Sequence, residues 1–122
     1  MNIWLAVFLG GGIGSLMRYG ISRLVLALEV KGAFPWATLV SNVVSAVILA
    51  WMILRLQAHL GERPAMKAFI AVGICGGFST FSTFSYESFL LIREGMPGWA
   101  LINIAVNVLA CLSVFFFIAR NA

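Results

Sequence analysis

The chain has 122 residues, of which 62% are hydrophobic and 10% are charged. A soluble domain carries about 25% charged residues, so the composition excludes a soluble fold and indicates a protein embedded in a lipid bilayer. A membrane-spanning helix takes roughly 20 residues, so four helices with short loops use the whole chain, residues 1–122, as one domain. The net charge of +4 comes from scattered residues, which argues against a nucleic-acid partner.

Four apolar stretches predict an all-α integral membrane protein with four transmembrane helices. We place the spans at roughly residues 3–28, 35–56, 66–92 and 99–118. The first stretch lacks a basic segment before it and a small-residue cleavage site after it, so we expect a retained span and not a signal peptide. The predicted spans hold no histidine, metal cluster or nucleophile–base pair, so we do not expect an enzyme.

The first predicted span contains a glycine cluster and a charged residue. Gly10 and Gly14 have the spacing that lets two helices approach closely in a membrane. Arg18 follows within the span, where an arginine is costly and usually faces water or a partner. Two interpretations of Arg18 remain: it raises the positive potential at a vestibule, or it is an end residue that reaches toward the interface.

The second predicted span carries Thr38, Asn42 and Ser45 on one helical face. An amide in hydrocarbon needs partners, and the NH₂ group of Asn42 can offer two donors to an anion. Alternatively, Asn42 makes a hydrogen bond between helices, as asparagine often does in membranes.

A polar run interrupts the third apolar stretch from Gly76 to Glu87, with the sequence GGFSTFSTFSYE. Adjacent glycines weaken a helix, and the hydroxyl residues that follow can bond to freed backbone groups. We therefore predict that the third helix is broken mid-membrane. Such breaks expose carbonyl and N–H groups, which is how membrane proteins build ion sites.

If the run after the predicted break is helical, one face holds Phe78, Phe81 and Phe84 or Ser85, and an adjacent polar stripe holds Ser79, Ser82, Thr83 and Tyr86. An aromatic stripe beside a hydroxyl stripe suits a solute that needs both. Close packing of helices through small residues would produce the same pattern. Glu87 comes next, and this carboxylate lies either within the membrane or at its interface.

The fourth predicted span repeats polar residues at intervals of four. Asn103, Asn107 and Cys111 therefore share one helical face. Two amides at this depth are not expected to point at lipid. They either join helices or line a path.

The run GGFSTFSTF resembles the signature of the Fluc/CrcB family of small bacterial fluoride channels. The resemblance covers essentially the whole chain, including its length, its number of spans, the glycine cluster with Arg18, and Asn42 in the second span. It implies a fluoride-selective ion channel in the bacterial inner membrane that lets fluoride leave the cell passively. It also implies that Asn42 lines the pore and that Phe81 and Phe84 contact the anion with the positive edges of their rings.

A dry fluoride pore must replace several water contacts, because this anion is small and strongly hydrated. Donors are available on Asn42, Ser82 and Thr83, and Asn103 or Asn107 can add more. The remaining residues of the predicted fluoride pathway are Phe81, Phe84, Glu87, Cys111 and Arg18. The alternative function is a small dual-topology proton-coupled multidrug exporter, but such exporters use a carboxylate in the first span, which here has none.

The basic residues favour neither orientation in the membrane. One side holds Arg55, Arg63, Lys67 and Arg120, and the other holds Arg23, Lys31, Arg93 and, if it reaches toward the interface, Arg18. An Arg18 that faces a cavity would make the division four against three, which is still too small a difference to set the direction. This near-even split predicts insertion in both orientations under the positive-inside rule. Because oligomers usually close by symmetry, it further predicts an antiparallel dual-topology homodimer.

The predicted break leaves main-chain carbonyls without helical partners. Two breaks facing each other in a dimer would surround one point with carbonyl oxygens, which suits a hard cation. Uncharged carbonyls favour a monovalent ion, because the desolvation of a divalent ion would go uncompensated. The resemblance implies a structural sodium ion at the dimer centre, bound by the carbonyls of Gly76 and Ser79.

Overall fold

The computed structural model describes residues 2–61 and 63–120, and this part of the chain is helical apart from short connections. Four helical stretches are long and apolar enough to cross a membrane. They are span 1 (Ile3–Ala27), span 2 (Trp36–Leu56), span 3 (Pro64–Arg93) and span 4 (Pro97–Arg120). The prediction of an all-α protein with four membrane-spanning helices is thus confirmed.

The ends of the spans follow from local sequence. The Asn2 side chain caps span 1 by accepting a hydrogen bond from the Trp4 N–H at 2.7 Å. After span 3, Gly95 adopts a positive φ of 81°, and the Met96 N–H donates to the Leu91 carbonyl at 2.8 Å. This pattern is a Schellman motif. Span 4 then begins directly at Pro97, so spans 3 and 4 are joined by a tight turn and can pack against each other.

Two spans change their helical form along their length. Span 2 is α-helical over Trp36–Trp51 and π-helical over Met52–Leu56, and a short helical turn follows at Gln57–Leu60. The first half of span 3 is α-helical over Pro64–Lys67, π-helical over Ala68–Ile74 and α-helical again over Cys75–Phe78.

The helix of span 3 is interrupted after Phe78. Ser79 has an extended backbone with a ψ of 158°, and helix resumes over Ser82–Arg93. We call residues 79–81 the interruption. The interruption follows Gly76 and Gly77, which are themselves helical. Ser79 therefore does not lie on the helix that carries Ser82 and Thr83.

Span 1 packs against the first half of span 3 with almost no space between the two backbones. A Cβ atom on Gly14 would overlap the main-chain oxygen of Ile74, and one on Gly73 would lie 2.8 Å from the Cα of Gly10. Gly77 likewise faces the backbone of span 1. The close approach predicted at Gly10 and Gly14 is confirmed. We call these four glycines, Gly10, Gly14, Gly73 and Gly77, the glycine seam.

The remaining contacts place span 4 against both span 2 and the second half of span 3. The buried positions between helices are occupied mainly by small or polar residues, whereas large apolar side chains such as Trp4, Phe8 and Phe116 are exposed. This distribution reverses that of a soluble protein and suits a surface solvated by lipid.

Candidate functional site

An open groove of about 420 Å³ lies beside the interruption, between spans 2, 3 and 4. Its wall is mostly apolar. Of the residues singled out from the sequence, it is lined by Asn42, Gly76, Ser79, Phe81, Phe84, Asn107 and Cys111. Three spans therefore bring these predicted site residues together around one cavity.

The other predicted site residues lie outside the lining of this groove. Ser82 is exposed and Thr83 is half-buried on the second half of span 3. Asn103 is completely buried behind the groove wall. Arg18 reaches the interruption from span 1, and Glu87 lies further along span 3.

Asn42 holds the interruption from span 2. Its Oδ1 accepts a hydrogen bond from the Thr80 N–H at 2.8 Å, and its Nδ2 lies 3.5 Å from the Thr80 carbonyl. One side-chain amide thus satisfies the N–H of a residue that has no helical partners and makes a weak contact with its carbonyl. Asn42 makes the contact between helices that one interpretation expected, and it also faces the groove.

Arg18 holds the interruption from the opposite side. Its Nε donates to the Gly77 carbonyl at 3.0 Å. In a continuous helix this carbonyl would accept from the N–H of Phe81. The guanidinium group therefore places a positive charge at the interruption.

Two other carbonyls lose their helical donors to side chains. In a continuous helix, Gly76 would accept from the Thr80 N–H and Ser79 from the Thr83 N–H. The Thr80 N–H instead donates to Asn42, and the Thr83 N–H donates to the Thr80 Oγ1 at 3.1 Å. Within residues 2–61 and 63–120, no other donor is found for the carbonyls of Gly76 and Ser79.

The carbonyl of Cys75, the residue before Gly76, has three hydrogen-bond donors. It accepts hydrogen bonds from the Ser79 N–H at 3.0 Å, from the Ser79 hydroxyl at 2.8 Å and from the Ser45 hydroxyl at 2.9 Å. The Cys75 carbonyl thus keeps its helical donor and the Gly77 carbonyl accepts from Arg18, whereas the carbonyls of Gly76 and Ser79 have no donor within the described residues.

Phe81 and Phe84 form an aromatic pair at the groove. Their ring centroids are 5.7 Å apart and the rings are tilted by 50°. Phe84 is 8% exposed, whereas Phe81 is 78% exposed and projects away from the rest of the chain. Tilted rings present edges, which carry the positive part of the aromatic quadrupole.

Three asparagine amides are linked from the groove wall into the buried contact between spans 3 and 4. The Asn42 Nδ2 donates to the Asn107 Oδ1 at 3.0 Å. The Asn107 Nδ2 donates to the Asn103 Oδ1 at 2.8 Å and to the Asn103 main-chain oxygen at 2.9 Å. The Asn103 Nδ2 donates to the Ser88 hydroxyl at 3.0 Å, and this hydroxyl donates to the Phe84 carbonyl at 3.0 Å. We call this series the amide chain.

Glu87 points into the protein from the second half of span 3. The Thr38 hydroxyl of span 2 approaches its carboxylate. In the part of the chain that the structure describes, its Oε1 is buried without a hydrogen-bond donor. A carboxylate held in this way faces the bundle, where it can interact with an ion or with water.

Comparison with known proteins assigns the chain to a family. The family model described as "CrcB-like protein, Camphor Resistance (CrcB)" matches residues 5–119. The chain belongs to the CrcB family. Proteins named "Fluoride-specific ion channel FluC" from Shewanella halifaxensis and Shewanella piezotolerans are 44% and 43% identical to it over 116 residues, 95% of this chain and 92% of each relative. A protein of the same name from Escherichia coli is 39% identical over 114 residues, 93% of this chain and 88% of the relative. The resemblance seen in GGFSTFSTF is confirmed.

Several residues around the site of this CrcB-family chain were missed by sequence reasoning. Gly73 and Gly77 have the same spacing as Gly10 and Gly14, and this repeat could have revealed the second half of the glycine seam. Thr80 is different, because it was among the hydroxyl residues predicted to bond freed backbone groups, and its hydroxyl does so by capping the second half of span 3. Ser88 carried no signal, because its importance depends on its contact with Asn103 of another span.

Proposed function

We propose that this CrcB-family chain is a fluoride-selective ion channel that lets fluoride leave the bacterial cell passively across the inner membrane. The observation that carries this proposal is that relatives 39–44% identical over most of the chain bear the name of a fluoride-specific ion channel. The chain is a multi-pass membrane protein with four spans and not an enzyme. A proton-coupled drug exporter is not favoured, because the first span holds no carboxylate.

The groove offers an anion both aromatic edges and an amide donor. Phe81 and Phe84 supply the ring edges. Asn42 supplies the donor, since its Nδ2 makes a contact of 3.5 Å with the Thr80 carbonyl that can be given up with little loss. Cys111 completes the groove wall on span 4.

The remaining predicted residues extend this pathway in our proposal. Ser82 and Thr83 offer hydroxyl donors on the second half of span 3, and Glu87 follows Thr83 by one helical turn. Arg18 adds positive potential near the interruption, which favours the entry of an anion.

Growth of bacteria that lack their own fluoride export tests this function. Expression of the chain is expected to restore growth on fluoride, whereas Phe84→Ile at the same level in the membrane is expected to restore it only at lower fluoride concentrations. Failure of the parent chain to restore growth, with folded protein present in the inner membrane, would contradict the proposal.

We infer that two copies pair in opposite orientations with the interruption at mid-membrane. With Arg18 bound at the interruption, lysine and arginine are divided four against three between the two sides, and this near-even distribution supports dual topology. Phe81 is 78% exposed beside the interruption, and a Cβ on Gly76 would meet open space. An apolar ring and an uncovered backbone are features that a second copy would cover.

Labelling of cysteine tags with a membrane-impermeant reagent on intact cells tests the topology. Roughly half of the tags at either terminus should react if both orientations occur equally. The untagged chain is the control, because it reports any reaction of Cys75 and Cys111. Complete labelling or complete protection at one terminus would mean a single orientation.

We further propose a structural sodium ion between the two copies, bound by the carbonyls of Gly76 and Ser79. Their helical donors are diverted to side chains, and oxygen ligands suit a hard cation. The positive charge of Arg18 nearby disfavours a divalent ion more than a monovalent one.

The sodium site is tested by preparing the protein with sodium or with a large organic cation in its place. Fluoride flux is expected to require sodium during assembly, and a high-resolution map should show density coordinated by main-chain oxygens alone. Equal flux in both preparations, together with hydroxyl groups or water bonded to the carbonyls of Gly76 and Ser79, would rule out the site.

A further inference from the structure

We propose that Asn103 and Asn107 are positioning residues that set the direction of the Asn42 amide and do not themselves contact the anion. The inference rests on the proposed fluoride pathway, and it assigns these two asparagines a different task from the donors suggested by the sequence. It follows from the direction of each hydrogen bond in the amide chain.

One end of the amide chain is fixed by the interruption. The Thr80 N–H can only donate, so the group of Asn42 that faces it at 2.8 Å must be the carbonyl oxygen. The Asn42 Nδ2 is then turned toward Asn107, whose Oδ1 accepts at 3.0 Å.

The other end is fixed by acceptors on spans 3 and 4. The Asn107 Nδ2 donates to the main-chain oxygen of Asn103 at 2.9 Å, and a carbonyl can only accept. The side-chain oxygen of Asn103 accepts from the same group at 2.8 Å. The orientation of the Asn103 amide is set in turn by Ser88. The Ser88 hydroxyl accepts from the Asn103 Nδ2 and donates to the Phe84 carbonyl. Each amide therefore has one favourable orientation.

Burial and donor use separate the tasks of the three amides. Asn103 is 0% exposed and does not line the groove. Asn107 lines the groove, but both of its amide hydrogens are used within span 4. Asn42 lines the groove with one hydrogen held at 3.0 Å by Asn107 and the other near Thr80 at 3.5 Å. Of these three residues, Asn42 alone has a weakly held donor to offer.

The direction of the Asn42 amide matters to an anion. A reversed amide would turn its oxygen toward the position of the donor and would repel negative charge. It would also set oxygen against oxygen at Asn107 and nitrogen against nitrogen at Thr80. The amide chain thus keeps the donor in place before the anion arrives.

A double-mutant cycle in fluoride efflux tests whether Asn107 acts through Asn42. Asn42→Leu, Asn107→Leu and the double variant are compared in liposomes, with Ser113→Ala on the exposed side of span 4 as the control. We expect Asn107→Leu to lower flux about tenfold, the scale of one buried hydrogen bond left unmade. The double variant should then be no slower than Asn42→Leu. Multiplying losses would mean that Asn107 contacts the anion directly and would overturn the proposal.

Hydrogen exchange gives a readout that requires no ion. In Asn107→Leu, the Thr80 N–H is expected to exchange about tenfold faster, because its acceptor on Asn42 is no longer held. The Ser85 N–H, which donates to the Phe81 carbonyl at 2.8 Å, should be unchanged. Unchanged exchange at Thr80 would overturn the proposal even if the channel conducts fluoride. Absence of fluoride flux in the parent chain would overturn the proposed function, while the exchange result would still decide the role of the amide chain.

Ser88→Ala provides a second variant if Asn107→Leu does not assemble. It removes the far end of the amide chain, away from the groove. Faster exchange at Thr80 with reduced flux would support the proposal, and exchange at the parental rate would contradict it.

Discussion

The two halves of span 3 are held in place by different kinds of contact. Its first half contacts span 1 through the glycine seam, where backbone meets backbone and the fit depends on shape. Its second half contacts span 4 through side chains whose hydrogen bonds have defined directions, as at Ser88 and Asn103. The interruption lies where one kind of contact gives way to the other.

The difference explains why the groove lies on one side of the interruption. A seam of glycines leaves no volume for a solute, because its atoms are already in contact. On the other side of the interruption, side chains rather than backbones meet between the helices, and Phe84 and Asn42 line the groove there. Close backbone packing fixes the position of span 3, and polar contacts orient the side chains that would contact an ion.

The largest effect is expected where the seam is broken. Gly14→Ala would add a Cβ that overlaps the main-chain oxygen of Ile74, which cannot turn aside as a side chain could. Overpacking costs about 1–3 kcal/mol, and we expect the upper end of this range or more. The measurement is the fraction of protein that remains folded and monodisperse after extraction. Gly12→Ala is the matched control, because a Cβ there meets open space, and equal loss in both variants would contradict the seam.

A large effect on function, without loss of fold, is expected at the aromatic pair. Phe84→Ile keeps the bulk of the side chain but removes the positive ring edge, which is worth about 0.5–1.5 kcal/mol in aromatic contacts. We expect fluoride flux to fall roughly tenfold, and Phe81→Ile should act in the same direction. Phe116→Ile, at an exposed ring of span 4, is the control. If both the Phe81 and the Phe84 variants conduct fluoride at the parental rate, these rings contribute only to packing.

A smaller effect is expected where the seam and the interruption meet. Arg18→Lys keeps the positive charge but loses the Nε that donates to Gly77. A hydrogen bond of this kind contributes about 0.5–1.5 kcal/mol, so we expect a several-fold drop in flux. Arg23→Lys, which lies on the exposed face of span 1, should have no effect. If Arg18→Lys matches the parent at all fluoride concentrations, the charge alone matters and not the contact.

The smallest effect is expected at the cap that restarts the helix. Thr80→Val removes the hydroxyl that accepts from the Thr83 N–H, and loss of such a cap costs about 1 kcal/mol. Thermal unfolding in detergent should shift downward for Thr80→Val, whereas Thr80→Ser should remain near the parent. A parental unfolding temperature for Thr80→Val would show that water replaces the cap.

Composition and local spacing were sufficient to predict the elements of this fold. Twenty-residue apolar stretches predict the four spans, and Gly10 with Gly14 predicts a close contact. The partner of that contact was not predicted, because the sequence does not say which helix lies opposite. Gly73 and Gly77 acquire their meaning only when the two helices are seen together.

The candidate site was predictable to the same extent. The residue types and their faces on each helix follow from spacing, so Asn42, Asn107 and Phe84 could be nominated. Which hydrogen bonds they make depends on neighbours from other spans. Asn42 could have turned either end toward the groove, and it is the N–H of Thr80, 38 residues away, that selects one.

Efflux from liposomes that contain the purified protein tests the central claim most directly. Vesicles loaded with equal concentrations of potassium fluoride and potassium chloride are diluted into a medium of an impermeant anion at matched osmolarity. A potassium ionophore carries the compensating charge, and both ions are followed with selective electrodes. The account predicts rapid loss of fluoride while chloride leaves no faster than from protein-free vesicles. Chloride efflux comparable to that of fluoride, or no fluoride efflux from folded protein, would contradict it.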